Sequence, residues 1–144
     1  MSASIRIGIL GYGNLGRGVE SALQQNPDMH LVGVFTRRNP AQLTPLYAQT
    51  AVFAMDELLS FQDKIDVLIL CGGSKDDLPV QGPQWAAHFN TVDSFDTHAR
   101  IPEYFRRVDE VAQANQHAAV IAMGWDPGLF SLHRMMSEAV LPDG

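Results

Sequence analysis

The sequence predicts an α/β fold, a doubly wound and mostly parallel sheet with helices on both faces. Short apolar runs alternate with segments of helical periodicity, which is typical of parallel strands joined by right-handed crossovers. One run, Ile65–Cys71, is almost entirely apolar, as expected for a strand that is covered on both faces. The glycine-rich segment Gly11–Gly16 directly follows the first apolar run. Together these features predict an α/β domain with a ligand site at the end of its first strand.

The chain begins with a strand, a glycine turn and a helix. The β-rich run Ile5–Leu10 ends directly at Gly11, and Leu15–Leu23 carries apolar or small residues at helical spacing. In this setting Gly11 allows a tight turn, Gly13 lets the backbone approach a pyrophosphate, and Gly16 permits close helix–strand packing. The helix N-terminus adds free N–H groups and a positive dipole end. The segment therefore predicts a Rossmann-type dinucleotide site, with a purely geometric glycine turn as the alternative.

The end of the second predicted strand, His30–Phe35, indicates which dinucleotide is bound. NAD-binding domains of this type carry an Asp or Glu there, which accepts hydrogen bonds from the ribose hydroxyls. Here Thr36, Arg37 and Arg38 follow the strand instead. Guanidinium groups donate charge-assisted, bidentate hydrogen bonds to phosphate, so these residues suit a 2′-phosphate. NADP is predicted in preference to NAD, and a solvated basic turn is the alternative.

Local patterns define the remaining elements. Pro40 and Pro45 break regular structure between residues 39 and 50, and Pro102 suits the first turn of a helix. The predicted strands are Ala51–Ala54, Ile65–Cys71, Thr91–Ser94 and Ala118–Met123. The predicted helices are Asp56–Leu59, Pro79–Phe89, Ile101–Gln116 and Leu129–Leu141. For the second of these, a start delayed to Pro83 by Gly82-Pro83 is the alternative.

Composition limits the classes of protein that need to be considered. The 144 residues suffice for one domain, and 46% apolar with 18% charged residues is ordinary for a globular protein. A net charge of −6 argues against nucleic acid or an anionic membrane as a general partner. The single cysteine, Cys71, excludes an intrachain disulfide and fits a reducing compartment. No signal-peptide pattern and no bilayer-spanning apolar run is present, so we expect a cytoplasmic protein.

Distinctive residues fall at the ends of predicted strands. Ligands of doubly wound sheets bind outside the carboxyl ends of the strands, so these segments are expected to share one crevice. They are Gly11–Gly16, Thr36–Arg38, Cys71–Ser74, Ser94–His98 and Met123–Gly128.

Three aspartates near this crevice are candidates for substrate chemistry. Asp96 and Asp126 could bind a substrate ammonium or move protons beside a nicotinamide. Helix N-capping for Asp96, and an Asx-type turn for Asp126, are equally open alternatives. For Asp93 we favour N-capping of the following helix. Trp125 suits either the core or an aromatic wall for a ligand.

The histidines and the cysteine give weaker signals. The five histidines show no metal-ligand spacing with one another or with cysteine, so no metal is expected. Among them His98 lies nearest to the crevice, although a surface loop position is favoured for it. Cys71 is expected to be a small buried residue at a strand end.

These motifs resemble one enzyme family over essentially the whole chain, in order and at similar spacing. The segments that carry the resemblance are Gly11-Tyr12-Gly13-Asn14-Leu15-Gly16-Arg17, Phe35-Thr36-Arg37-Arg38, Cys71-Gly72-Gly73-Ser74, Val92-Asp93-Ser94-Phe95-Asp96 and Gly124-Trp125-Asp126-Pro127-Gly128. The family is NADP-dependent meso-diaminopimelate dehydrogenase of lysine biosynthesis. The resemblance implies reversible oxidative deamination at the D-centre of meso-2,6-diaminopimelate, which gives L-2-amino-6-oxopimelate and ammonia.

The resemblance also implies roles for individual residues. Implied cofactor contacts are Gly11, Tyr12, Gly13, Asn14 and Leu15 at the pyrophosphate, Thr36, Arg37 and Arg38 at the 2′-phosphate, and Cys71, Gly72, Gly73, Ser74, Ser94, Phe95, Asp96, Met123, Gly124, Trp125, Asp126 and Pro127 along the ribose and nicotinamide. Asp96, Trp125 and Asp126 are implied to bind the substrate, and no residue is assigned a definite catalytic role. Phe95 stands where tyrosine is usual, and Arg100 stands where an acidic residue can occur.

The family continues into a second domain that binds the distal end of the substrate and forms a homodimer. We therefore expect residues 1–125 to be the NADP-binding domain and residues 126–144 a loop and helix leading toward that second domain. Such a chain is expected to bind NADP but to be inactive alone. A non-catalytic NADP(H)-binding module and another NADP-dependent oxidoreductase are the alternatives.

Overall fold

Six strands form one parallel sheet in the computed structural model, which describes residues 4–126 and 128–141. The strands are β1 (Ile5–Leu10), β2 (Met29–Thr36), β3 (Val52–Ala54), β4 (Val67–Leu70), β5 (Asn90–Asp93) and β6 (Ala119–Val120). They lie in the order β3-β2-β1-β4-β5-β6, and every neighbouring pair is parallel. This arrangement confirms the predicted doubly wound α/β fold.

Helices connect consecutive strands. The α-helices are α1 (Asn14–Leu23), α2 (Leu78–Ala86), α3 (Ile101–Ala114) and α4 (Leu129–Val140), and 3₁₀ helices cover Pro40–Gln42, Met55–Lys64 and His98–Arg100. None of the helices within the described ranges is long and apolar enough to cross a membrane.

Both faces of the sheet are covered by apolar clusters, because successive side chains of a strand point to opposite faces. In β1, Ile7 and Ile9 pack with Leu23 of α1 on one face. Leu10 packs on the other face, in a cluster that includes Trp85 of α2. The two-sided burial predicted for Ile65–Cys71 is confirmed, since Leu68 and Leu70 belong to the cluster with Trp85 whereas Val67 and Ile69 pack against the cluster with Leu23. Helix α4 differs from the other α-helices, since none of its described residues is buried.

Strand β6 is shorter than the predicted Ala118–Met123, and buried Asp93 accounts for its end. The Asp93 carboxylate accepts hydrogen bonds from Tyr104 Oη (2.5 Å), Phe95 N (2.9 Å) and Ala122 N (3.2 Å). Ala122 has a positive φ of 57° and leaves the strand conformation. The predicted N-capping role of Asp93 is wrong, because the following helices begin only after Thr97 and Arg100. The carboxylate instead joins the end of β5 to α3 and to the segment after β6. Burial and the Asp93 hydrogen bond raise the pKa of Tyr104.

Helix α2 begins within one residue of the predicted Pro79, and the alternative start at Pro83 is wrong. It starts at Leu78 with Pro79 in its first turn, and Pro83 lies inside it rather than at its start. Proline suits a first turn, where the N–H has no helical acceptor, but it removes one helical hydrogen bond at an interior position. Burial of Leu78, Trp85 and Ala86 against the sheet favours the helix despite this loss.

A buried carboxylate fixes the segment that follows β2. Glu20 of α1 is fully buried and accepts hydrogen bonds from Thr50 Oγ1 (2.6 Å), Leu46 N (3.1 Å) and the Tyr12 hydroxyl. Tyr12 Oη also accepts from Leu46 N at 2.9 Å. Burial raises the pKa of Glu20, but the hydrogen bonds outweigh it and the pKa lies below its ordinary value. These hydrogen bonds to the Glu20 carboxylate therefore join α1 to residues 46–50.

Candidate functional site

A cavity of about 360 Å³ lies at the carboxyl ends of β1, β2 and β4. It is lined by Gly11, Tyr12, Gly13, Thr36, Arg37, Arg38, Cys71, Gly72, Gly73 and Asp77. The chain leaves β1 toward β2 and β3 on one side, while β4 begins the other half of the sheet. This change of direction is where doubly wound proteins bind their ligands. Three of the five predicted strand-end segments therefore meet in one cavity.

The three fingerprint glycines have different structural requirements. Gly11 has a φ of +93°, and a Cβ there would lie 3.1 Å from the backbone of Cys71. A Cβ on Gly16 would lie 2.3 Å from the Gly11 carbonyl oxygen, so close packing of α1 on the turn excludes a side chain. Gly13 is extended, and no heavy atom of the described residues beyond its chain neighbours lies within 4 Å of its Cβ position. The fold thus requires Gly11 and Gly16, but it does not require Gly13.

The other fingerprint residues divide between the core and the surface. The Tyr12 side chain is buried with its hydroxyl on Glu20, so Tyr12 offers its main chain to the cavity. Asn14 and Leu15 are exposed in the first turn of α1. They flank the cavity at the helix end where main-chain N–H groups lack intrahelical acceptors.

The residues predicted to bind the 2′-phosphate form one wall of the cavity. Thr36 is buried, and its Oγ1 accepts a hydrogen bond from Arg38 N at 3.1 Å. The Arg38 guanidinium donates to the Tyr12 carbonyl, which places it beside the fingerprint turn. Arg37 extends to Asp77, with Nη1–Oδ1 and Nη2–Oδ2 distances of 2.8 and 3.1 Å. Arg37 and Arg38 therefore line the same cavity as the glycine turn.

Asp77 lines the cavity, although the sequence patterns predicted no role for it. It directly precedes α2, and its Oδ2 accepts a hydrogen bond from Gly73 N at 2.8 Å. The sequence did contain a signal, since an aspartate immediately before a helix with proline in its first turn is a typical helix start. Its pairing with Arg37, 40 residues away in the chain, could not be inferred from that signal.

The loop that follows β4, here called the β4 loop, links the cavity to the end of β5. Burial raises the pKa of the Cys71 thiol to about 12, which fits the predicted inert residue and not a nucleophile. Gly72 and Gly73 line the cavity, while Ser74 Oγ accepts a hydrogen bond from Asp96 N at 2.9 Å. The Ser74–Asp96 contact thus extends the crevice toward β5.

At the end of β5, side chains point in different directions. Phe95 is buried and stacks on Tyr104 with a centroid distance of 4.2 Å, so a cofactor would meet its main chain and not its ring. Asp96 is exposed and Ser94 is half-buried. Asp96 does not cap a helix, because the following 3₁₀ helix begins after Thr97 and α3 after Arg100. The N-capping alternative for Asp96 is therefore wrong.

The segment that follows β6 lies beside the segment that follows β5. Met123 N donates to the Asp93 carbonyl at 2.8 Å, and a Cβ on Gly124 would lie 3.8 Å from Ser94 Cβ. Trp125 is 63% exposed. This exposure excludes the alternative that Trp125 belongs to the core that the described residues form. Pro127, also predicted to bind the cofactor, lies outside the described residues.

Asp126 has one partner in the neighbouring helix α4 and one in the segment after β5. Its Oδ1 accepts a hydrogen bond from Ser131 Oγ at 2.9 Å and lies 3.2 Å from His98 Nε2. His98 is exposed as predicted, but this contact brings it to the crevice edge. The β5 and β6 segments adjoin the cavity through Ser74 and Asp96 without lining it. The predicted single crevice is thus a cavity with a neighbouring, more open surface.

The sheet order, the glycine turn and the cavity at the switch point define a Rossmann-like NAD(P)-binding fold. The protein family described as "NADP oxidoreductase coenzyme F420-dependent" matches residues 6–76. More particularly, the chain is homologous over nearly its whole length to the N-terminal, NADP-binding part of meso-diaminopimelate D-dehydrogenases. The Lysinibacillus sphaericus meso-diaminopimelate D-dehydrogenase is 60% identical over 99% of this chain.

Solved structures agree with this assignment. A multiply substituted meso-diaminopimelate dehydrogenase from Clostridium tetani E88 with diaminopimelate is 50% identical, with a TM-score of 0.81 over 98% of this chain and 43% of that one. An engineered D-amino acid dehydrogenase bound to NADP+ is 43% identical, with a TM-score of 0.82 over 96% of this chain and 42% of that one. The chain spans 43% of the length of the Lysinibacillus sphaericus relative.

Proposed function

We propose that this chain binds NADP as the cofactor-binding part of a meso-diaminopimelate D-dehydrogenase. The observation that carries the proposal is the contrast between Gly13 and the other fingerprint glycines. The fold needs Gly11 and Gly16, whereas Gly13 faces a cavity without any steric reason to be glycine. A glycine that the fold does not need, in a cavity beside two guanidinium groups, fits the close approach of a pyrophosphate.

The donor set fits the phosphates of NADP. Main-chain N–H groups of the fingerprint turn and of the first turn of α1 would hold the pyrophosphate. Thr36, Arg37 and Arg38 would hold the 2′-phosphate through a hydroxyl and charge-assisted hydrogen bonds. NADP supplies the hydride acceptor when bound, and the chain's residues orient it along the carboxyl ends of the strands.

The surface at β5 and β6 would serve the nicotinamide and the reacting end of the substrate. Asp96 and Asp126 present carboxylates there, which suits an amino acid ammonium. The exposed ring of Trp125 offers an apolar surface beside Asp126. These residues would hold the D-centre of meso-diaminopimelate near the nicotinamide, and fixed geometry of this kind lowers the barrier to hydride transfer.

We infer that residues 1–125 form the NADP-binding domain and residues 126–144 the connection to the rest of a longer, cytoplasmic and homodimeric enzyme. Two observations support this division. Every described residue of α4 is at least partly exposed, including the apolar Met135 and Met136, each 67% exposed. The relatives are also more than twice as long as this chain. The distal end of the substrate would bind outside these residues.

Replacement of Arg38 by alanine is expected to weaken NADP binding by roughly 10- to 100-fold, since a hydrogen bond to a charged group contributes about 1.5–3 kcal/mol. NAD binding should change by less than about threefold, because NAD has no 2′-phosphate. Isothermal titration calorimetry of both dinucleotides measures the two effects. Arg106→Ala removes the same charge from the exposed face of α3 and should leave both affinities unchanged. Equal affinity of the unsubstituted chain for NAD and NADP would contradict the NADP assignment.

In an enzyme that joins this segment to the remaining length of its relatives, Asp126→Asn is expected to lower kcat/KM for meso-diaminopimelate by about 100-fold. A hydrogen bond to a charged group contributes about 1.5–3 kcal/mol, and a 100-fold loss in kcat/KM corresponds to about 2.7 kcal/mol. The NADP dissociation constant should change by less than about threefold, because Asp126 does not line the cavity assigned to the phosphates and would meet only the nicotinamide end of the cofactor. Asp109→Asn on α3 is the charge-matched control. Unchanged turnover in Asp126→Asn would refute the substrate role, and NADP binding without any turnover in the unsubstituted enzyme would support a non-catalytic module.

A further inference from the structure

The ion pair between Arg37 and Asp77 joins opposite walls of the cavity. Arg37 follows β2, whereas Asp77 lies at the start of α2 beyond the β4 loop. The contact is bidentate, with both terminal nitrogens of the guanidinium on the two carboxylate oxygens. This fork-to-fork geometry is the one that a guanidinium uses to bind a phosphate. Asp77 thus makes with Arg37 the contact that a 2′-phosphate would make.

Asp77 is the fixed partner of this pair. Its side chain is 21% exposed, and a hydrogen bond from Gly73 N also holds it, whereas the Arg37 side chain is 62% exposed. The guanidinium can therefore leave the carboxylate by rotation of a solvent-exposed side chain, without movement of the backbone.

We propose that Asp77 is an internal competitor for the 2′-phosphate of the dinucleotide, and this inference rests on the proposed NADP function. The phosphate displaces the carboxylate from Arg37, whereas a ribose hydroxyl carries no charge to compensate for breaking the ion pair. Asp77 therefore sets how strongly the site prefers NADP, and it lowers the affinity for the phosphorylated ligand. A lower affinity favours release of the cofactor after each turnover.

Two small ligands that differ mainly in one phosphate test the competition. Dissociation constants of 2′,5′-ADP and 5′-AMP are measured by calorimetry for the unsubstituted chain, Asp77→Asn and Asp76→Asn. In Asp77→Asn the amide oxygen can still accept the hydrogen bond from Gly73 N, so the loop keeps its support. Asp76 is exposed and adjacent, and its replacement makes the same change in net charge without removing the ion pair. Melting temperatures show whether each variant is folded.

Asp77→Asn is expected to bind 2′,5′-ADP about three- to fivefold more tightly, the factor that an exposed ion pair contributes, with less than a twofold change for 5′-AMP. Asp76→Asn should leave the ratio of the two constants unchanged within about twofold. In the unsubstituted chain, the carboxyl carbon-13 resonance of Asp77 should shift on addition of 2′,5′-ADP and not of 5′-AMP.

The outcomes separate this inference from the function on which it rests. If the unsubstituted chain does not prefer 2′,5′-ADP to 5′-AMP, the NADP assignment fails and the competition fails with it. If the preference is present but Asp77→Asn leaves the ratio unchanged or reduces it, only the competition is overturned. An equal gain in Asp76→Asn and Asp77→Asn would also overturn it, because net charge alone would then account for the effect.

Discussion

Replacement of Glu20 by alanine is expected to lower the free energy of unfolding by about 3 kcal/mol, because hydrogen bonds to a buried charged group contribute roughly 1.5–3 kcal/mol each and are not additive. The substitution leaves the hydroxyl of Thr50, the N–H of Leu46 and the hydroxyl of Tyr12 without this acceptor. Urea unfolding followed by circular dichroism measures the loss. Glu110→Ala on the exposed face of α3 is the control, with an expected change below about 0.5 kcal/mol.

The effect of Glu20→Ala also depends on pH. Hydrogen bonds hold the pKa of Glu20 in the folded protein below its value in the unfolded chain. The carboxylate therefore stabilises the fold fully above the unfolded pKa of about 4.3, and this contribution is lost as pH falls through the folded pKa. The difference in stability between the unsubstituted chain and Glu20→Ala should narrow in acid. A difference that stays constant from pH 7 into acid would show that packing, and not the charge, carries the effect.

Features that depend on neighbouring residues in the chain were predicted well from the sequence. The strand, glycine turn and helix at residues 5–23 were correct to within one residue, because periodicity and the spacing of Gly11, Gly13 and Gly16 are local signals. The location of Arg37 and Arg38 on the same cavity followed from sheet topology alone.

Features that depend on contacts distant in the chain were missed. Asp77 meets Arg37 across 40 residues, and Glu20 meets Thr50 across 30 residues. In the sequence Glu20 is an ordinary polar position on an amphipathic helix, and its burial arises only when residues 46–50 fold over it. The early end of β6 also depends on a contact distant in the chain, since Ala122 N donates a hydrogen bond to Asp93 of β5.

Gly16→Ala is expected to destabilise the fold by about 3 kcal/mol, at the upper end of the cost of overpacking a close contact. The new Cβ would lie 2.3 Å from the Gly11 carbonyl oxygen, and this backbone atom cannot rotate away as a flexible side chain would. Helix α1 must therefore move away from β1, which also displaces the N–H groups at its start. NADP affinity should fall by more than about tenfold in calorimetry, since several such donors are lost together.

Two other glycines separate the contributions of fold and ligand to this result. Gly18 lies on the same helix, and apart from its chain neighbours and the backbone of that helix no described heavy atom lies within 4 Å of its Cβ position. Gly18→Ala should therefore stabilise the fold by about 0.5–1 kcal/mol through helix propensity. Gly13→Ala should change stability by less than about 1 kcal/mol, the scale of an N-cap effect. It should nevertheless weaken NADP binding at least about tenfold, because the methyl group would stand where the pyrophosphate approaches. Normal NADP affinity in Gly13→Ala would mean that the glycine turn serves only the fold, and the dinucleotide site would have to lie elsewhere.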